Sequence, residues 1–214
     1  MNNKSAVVPP AVRAALSRTD SKLDKLISSL ERTNPGLRSR VSGEMTVYLL
    51  LDCSGSMAGS IEAARVGAVD FAIQAASDGY AVGAVQFSDS ASALFEPTHD
   101  CDRVRSELRR LRSGGGTNMA EAIELATRLL SPKQGERAIV LVTDGEPNDR
   151  TSTLRAAREA AALDIHILAV AISGADMSFL RTLTTRENLV VPASREEIAN
   201  GIRRASTLLL AHKR

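Results

Sequence analysis

The chain of 214 residues contains no tryptophan, two tyrosines and four phenylalanines, so aromatics make up only 3% of it. Few rings are available on which bases could stack, which weakens the case for a single-stranded nucleic-acid platform. The formal net charge is +2, from 27 basic and 25 acidic residues, without the basic excess that a polyanion partner demands. Two cysteines, Cys53 and Cys101, are too few for a disulfide scaffold. No run reaches the roughly 18 apolar residues needed to span a membrane, and Met1 to Pro10 has no apolar stretch of signal-peptide length. A cytoplasmic protein with reduced thiols is therefore expected, with neither nucleic acid nor membrane as partner.

What is present is a 43% hydrophobic content, enough for the core of one good-sized domain with an appendage. With aromatics scarce, that core must be built from Val, Ile, Leu and Ala. The cluster Arg103, Arg105, Arg109, Arg110 and Arg112 reads as the solvated face of a helix, with an acidic partner surface as the alternative.

Two organisations follow one another along the chain. Residues 1–44 read as an extension, in which Leu16, Leu23, Ile27 and Leu30 predict an amphipathic helix over Ala11 to Arg32, closed by Asn34-Pro35-Gly36. Residues 45–214 alternate strand and helix. Strands are expected at Met45 to Asp52, Tyr80 to Phe87, Ala91 to Phe95, Arg137 to Thr143, Ile165 to Ile172 and Asn188 to Val191. Helices are expected at Met57 to Ser77, Asp100 to Leu111, Asn118 to Leu130, Thr151 to Ala162, Met177 to Thr182 and Arg195 to Ala211. This alternation predicts an α/β, Rossmann-like three-layer sandwich. Its mostly parallel six-stranded sheet takes the order 3-2-1-4-5-6, with strand 3 antiparallel at the edge and helices on both faces. Such a sheet opens a crevice between strands 1 and 4, above their carboxyl ends.

Strand 1 ends in Asp52 and strand 4 is followed by Asp144, so two carboxylates distant in sequence should meet in that crevice. Asp52-Cys53-Ser54-Gly55-Ser56 adds hydroxyls at alternate positions, and Gly114-Gly115-Gly116-Thr117 brings a third hydroxyl behind a pliable loop. Oxygen donors without a neighbouring His or Cys suit a hard cation, Mg2+ or Mn2+, better than zinc or copper. Two carboxylates and three hydroxyls leave an octahedral shell unfinished, so an open position follows. The competing reading is that Ser54 or Ser56 caps the next helix.

With Asp52-x-Ser54-x-Ser56, Thr117 and Thr143-Asp144-Gly145 in this order, residues 45 to 211 resemble a von Willebrand factor A domain with a metal-ion-dependent adhesion site. The resemblance implies that Ser54, Ser56 and Thr117 bind the ion directly or through water. Asp52 and Asp144 supply charge, and a partner's Asp or Glu completes the shell. It further implies a non-enzymatic interaction module of bacterial intracellular type, whose partner is an AAA+ ATPase or a stress or defence assembly. Mg2+ is the expected ion, with Mn2+ and Ca2+ as alternatives, and Glu146, Pro147, Asn148, Asp149 and Arg150 border the site.

Enzyme readings find less support. A metal-dependent hydrolase, phosphatase or nuclease, is the alternative, but no general base stands beside the site. An aspartyl phosphotransferase would need an acid where Ser54 stands. No phosphate-binding G-x-x-x-x-G-K-[ST] is present, and Gly55-Ser56-Met57 does not match a nucleophile elbow. His166 lies among apolar residues and reads as a core or edge histidine. His99-Asp100-Cys101-Asp102 reads as a helix cap rather than a metal cluster.

Overall fold

The computed structural model describes residues 44–185 and 189–211, so the helix expected over Ala11 to Arg32 lies outside the described residues. Strand β1 (Met45–Asp52) pairs in parallel with β2 (Tyr80–Phe87) on one side and β4 (Arg137–Thr143) on the other. β3 (Ala91–Thr98) adds antiparallel to β2, and β5 (His166–Ile172) and β6 (Val190–Ala193) extend the sheet in parallel beyond β4. The resulting six-stranded order, β3-β2-β1-β4-β5-β6, is the one expected.

Because side chains alternate across a strand, β1 feeds two separate cores. Val47, Leu49 and Leu51 face α1 (Ile61–Ser77), α2 (Cys101–Leu108) and α6 (Ile198–Ala211). Tyr48 and Leu50 face α3 (Met119–Leu130), α4 (Arg150–Ala162) and α5 (Met177–Leu183). A strand buried on both faces needs an unbroken apolar run, and Tyr48 to Leu51 are all 0–1% exposed. The same rule places polar residues at strand ends, where the sheet stops being covered.

Where observed elements depart from expectation, local chemistry gives the reason. β3 continues through Pro97 to Thr98, which an edge strand tolerates because no neighbour requires that residue's N–H. The helix expected from Met57 begins instead as a 3-10 turn, Gly55–Gly59, before α1 starts at Ile61. α2 stops at Leu108, three residues early, and β6 lies two residues later than expected. A 3-10 turn at Arg195–Glu197 precedes α6. Asp100 caps α2, accepting the N–H groups of Asp102 and Arg103 at 3.0 Å, which is the role expected of the His99 to Asp102 tetrad. No described helix is long and apolar enough to cross a membrane.

α1 and α6 pack closely because Gly67 has no side chain. A Cβ there would lie 2.7 Å from the Ala199 Cα and 2.9 Å from Ile202 Cδ1. Gly67→Ala forces the helices apart, and the gain in helix propensity does not offset the clash; the melting temperature should fall by about 2–8 °C. An unchanged or raised melting temperature by calorimetry would show that this contact yields freely.

Candidate metal centre

Asp52 is the last residue of β1 and is 1% exposed. Its Oδ1 accepts the Ser54 N–H at 2.8 Å, and its Oδ2 accepts the Thr143 hydroxyl at 2.5 Å from the end of β4. One carboxylate thus shapes the loop after β1 and joins it to the neighbouring strand. The Ser54 and Ser56 hydroxyls stand 3.0 Å apart, and Ser56 Oγ donates to Asp144 Oδ1 at 2.7 Å. Thr117 reaches the same crevice: a Cβ on Gly145 would lie 3.6 Å from Thr117 Oγ1 and 3.9 Å from Ser56 Oγ. Asp52, Ser54, Ser56, Thr117 and Asp144 are therefore gathered above β1 and β4.

Neither serine is used as a helix cap. Ser54 precedes the 3-10 turn and Ser60 precedes α1, and neither side chain bonds a helix amide. The hydroxyls of Ser54 and Ser56 instead bond each other and Asp144. That leaves their remaining lone pairs available to a cation.

Three loops are locked together beneath the crevice. Gly114 N–H donates to the Cys53 carbonyl at 2.7 Å, and Gly55 N–H donates to the Gly115 carbonyl at 3.0 Å. Gly115 has φ +81°, and a Cβ on it would run into the Asp89 carboxylate, so glycine is required twice over. Asp89 Oδ1 accepts the Gly116 N–H at 2.7 Å. Asn148 clamps the third loop, accepting the Thr117 N–H on its Oδ1 at 3.0 Å while its own N–H donates to the Thr117 carbonyl at 3.0 Å.

The other bordering residues are also engaged. Asp149 caps α4 through the N–H groups of Thr151 (2.9 Å) and Ser152 (3.2 Å), and hydrogen bonds from Ser152 hold its carboxyl below the usual range. Arg150 pairs with Asp176 at 2.6 Å and Glu146 at 3.1 Å, with its guanidinium 4.7 Å from the Phe179 ring centroid. Glu146 and Arg150 thus present a charged pair at the surface, while Asn148 and Asp149 hold the loop.

Charge in the crevice is poorly balanced by the protein alone. Burial pushes the Asp52 carboxyl above its usual range, against the hydrogen bonds from Ser54 and Thr143, and the negative Asp144 pushes it the same way as burial. Asp144 is 6% exposed, and its Oδ2 is buried without a hydrogen-bond partner among the described residues. The Arg195 guanidinium stands 3.7 Å from that oxygen, close enough to attract but beyond hydrogen-bond reach. A buried carboxylate oxygen with no donor is costly, and a cation in the crevice would satisfy it.

The donor chemistry fits a hard divalent ion. All five side chains offer oxygen, two as carboxylates and three as hydroxyls; among the described residues no group of three His, Cys, Asp or Glu is placed to hold a metal ion. Cys53 is buried, and its thiol is pushed up to about 12 by burial and then by Asp52, so it is neither thiolate ligand nor nucleophile near neutral pH.

Asp89, Thr143 and Arg195 act in this arrangement without a sequence signal for their roles. In sequence Thr143 is the end of a strand and the first residue of Thr143-Asp144-Gly145, and Arg195 is the start of a helix; neither position marks the contact it makes.

Comparison with known structures finds the same fold elsewhere. The vWF domain of the type V pili tip protein Mfa5 from Porphyromonas gingivalis superposes with a TM-score of 0.73 at 11% identity, covering 81% of this chain and 97% of that one. Proximal thread matrix protein 1 from the mussel byssus, solved with a zinc-occupied MIDAS motif, gives 0.66 at 18% identity, covering 78% of this chain and 48% of that one. This chain thus spans about half the length of the byssus protein. The manganese-loaded Plasmodium vivax TRAP protein gives 0.62 at 19% identity, covering 77% and 74%. Residues 46–201, from β1 into α6, match the model of the von Willebrand factor type A domain, and the chain belongs to that family.

Proposed function

We propose that this domain is a non-enzymatic, metal-dependent protein-binding module. Asp52, Ser54, Ser56, Thr117 and Asp144 hold Mg2+, with Mn2+ and Ca2+ as alternatives, in a metal-ion-dependent adhesion site. The observation that carries this reading is the buried Asp144 Oδ2, without a hydrogen bond, beside hydroxyls that no helix uses. When bound, the ion supplies a Lewis-acidic charge to which an Asp or Glu of a partner protein can bond. Domains of this family commonly serve as metal-dependent interaction modules, and the zinc-occupied and manganese-loaded relatives support a cation at this place in the fold.

The chain's own residues set how this works. Asp52, tied to Ser54 and Thr143, holds its loop in place so that no large rearrangement precedes binding. Asp89 accepts the Gly116 N–H and Asn148 the Thr117 N–H, which together fix Thr117 at the end of the glycine loop. Glu146 and Arg150 offer the charged rim on which partner choice would depend. Both oxygens of Asp52 accept hydrogen bonds and the open Oδ2 of Asp144 would be taken by the ion, so neither carboxylate is left to activate water, which favours binding over the hydrolase alternative. By family analogy alone, the setting is the bacterial cytoplasm and the partner an AAA+ ATPase or a stress or defence assembly. Residues 1–44 serve as an extension to the module, which occupies residues 45–214.

Metal binding should register as stability, with a defined pH dependence. Because the folded-state pKa of Asp52 is raised, the metal-free fold gains from its protonation at low pH. That gain is lost as pH rises from the ordinary carboxylate value through the raised one. Mg2+ at a hundredfold excess over its Kd at pH 7 stabilises by about 2.7 kcal/mol, and the same Mg2+ concentration should stabilise less at pH 5. Calorimetric melting with and without Mg2+ measures it. An increment that is absent, or that survives in Asp144→Asn, contradicts the site.

Partner capture provides the functional test. Affinity capture from native cytosol should recover a partner with wild-type protein in Mg2+, and lose it in EDTA and with Asp52→Ala. Capture that persists through both treatments would sink the metal bridge.

A further inference from the structure

Arg195 is the charged group beside the site that the reading above leaves without a role. Its guanidinium Nη2 lies 3.7 Å from Asp144 Oδ2, and its side chain is 52% exposed, so one side faces the buried carboxylate while the rest meets solvent. Nη1 lies 3.7 Å from where a Cβ on Gly59 would stand, so the guanidinium borders the turn after β1. Glu197, in the same 3-10 turn, is engaged by the Ser194 hydroxyl at 3.4 Å. Resting on the metal-site reading, we propose that Arg195 is the second cation of the ligand site, selecting a carboxylate over a neutral oxygen.

The charge balance carries the argument. Asp52 and Asp144 together cancel one divalent ion, which leaves the ion-loaded crevice neutral and able to accept water, an amide or a carboxylate alike. Arg195 adds one positive charge at its edge. The loaded site then carries a net positive charge, and an incoming carboxylate neutralises it where an amide does not. A guanidinium also offers planar paired donors that match a carboxylate. Without an ion, the same group partly compensates Asp144. Arg195 therefore opposes metal entry and favours the anionic ligand that follows.

These two effects have opposite signs, which separates them from a folding defect. In Arg195→Gln, Mg2+ affinity measured by calorimetry on the full chain should rise roughly two- to fivefold, because a positive charge near the ion is gone. At saturating Mg2+, affinity for a capped peptide carrying a single glutamate, followed by NMR titration, should fall roughly three- to tenfold. The matching glutamine peptide should bind the wild type more weakly than the glutamate peptide and be insensitive to the substitution. Arg195→Lys should retain most of the preference. Parallel losses of metal and peptide affinity would assign Arg195 a purely structural role, and unchanged affinities would assign it none; either result overturns the inference. So would a wild type that binds Mg2+ without preferring glutamate to glutamine, with the metal site intact. A wild type that binds no Mg2+ overturns the underlying reading instead.

Discussion

The Asp52 carboxylate is held at the top of the sheet by two donors, the Ser54 amide and the Thr143 hydroxyl, and the rest of the crevice is arranged around it. Through Ser54 it turns the chain back after β1, so that the Ser54 and Ser56 hydroxyls come together. Through Thr143 it joins the ends of β1 and β4, the adjacent strands at which the sheet order reverses. Asp144 then follows β4 directly and receives the Ser56 hydroxyl. Burial makes this carboxylate expensive to ionise, and that unfavourable charge is what gives the crevice its demand for a cation.

A site of this kind is a compromise between stability and readiness. The glycine loop is pinned on both sides by backbone and carboxylate bonds, so little conformational freedom is left to be lost when a ligand arrives. The cost is concentrated in two buried carboxylates, one with an oxygen that no donor among the described residues reaches. The close packing of α6 on α1 through Gly67, and on β5 and β6 through Gly201, offers a rigid base against which that cost can be carried. The turn at the head of α6 brings Arg195 to the crevice, so one helix both covers the sheet and contributes charge to its edge.

How much of this was legible in the sequence depended on whether the cause was local. β1, β2 and β4 could be bounded correctly because strands covered on both faces need continuous apolar runs that stop abruptly. The sheet order followed from handed crossovers, and it brought Asp52 and Asp144 together before any coordinates. The ends of β3 and β6 were harder to place, since an edge strand tolerates proline and irregular register. Asp89, the Thr143 hydroxyl and Arg195 act across 27, 91 and 51 positions respectively, on Gly116, Asp52 and Asp144, and no periodicity records such contacts. Asn148 was placed at the rim by its neighbourhood, whereas its clamp on Thr117 emerges only when the loops are folded together.

The central claim is that five oxygen-bearing side chains form one cation site. The most direct measurement is a crystal structure of the protein grown with Mn2+, using anomalous scattering at the manganese edge to locate the ion. One strong peak bounded by Asp52, Ser54, Ser56, Thr117 and Asp144 is expected. A fully ordered crevice without a peak, or manganese bound only elsewhere on the surface, would contradict it.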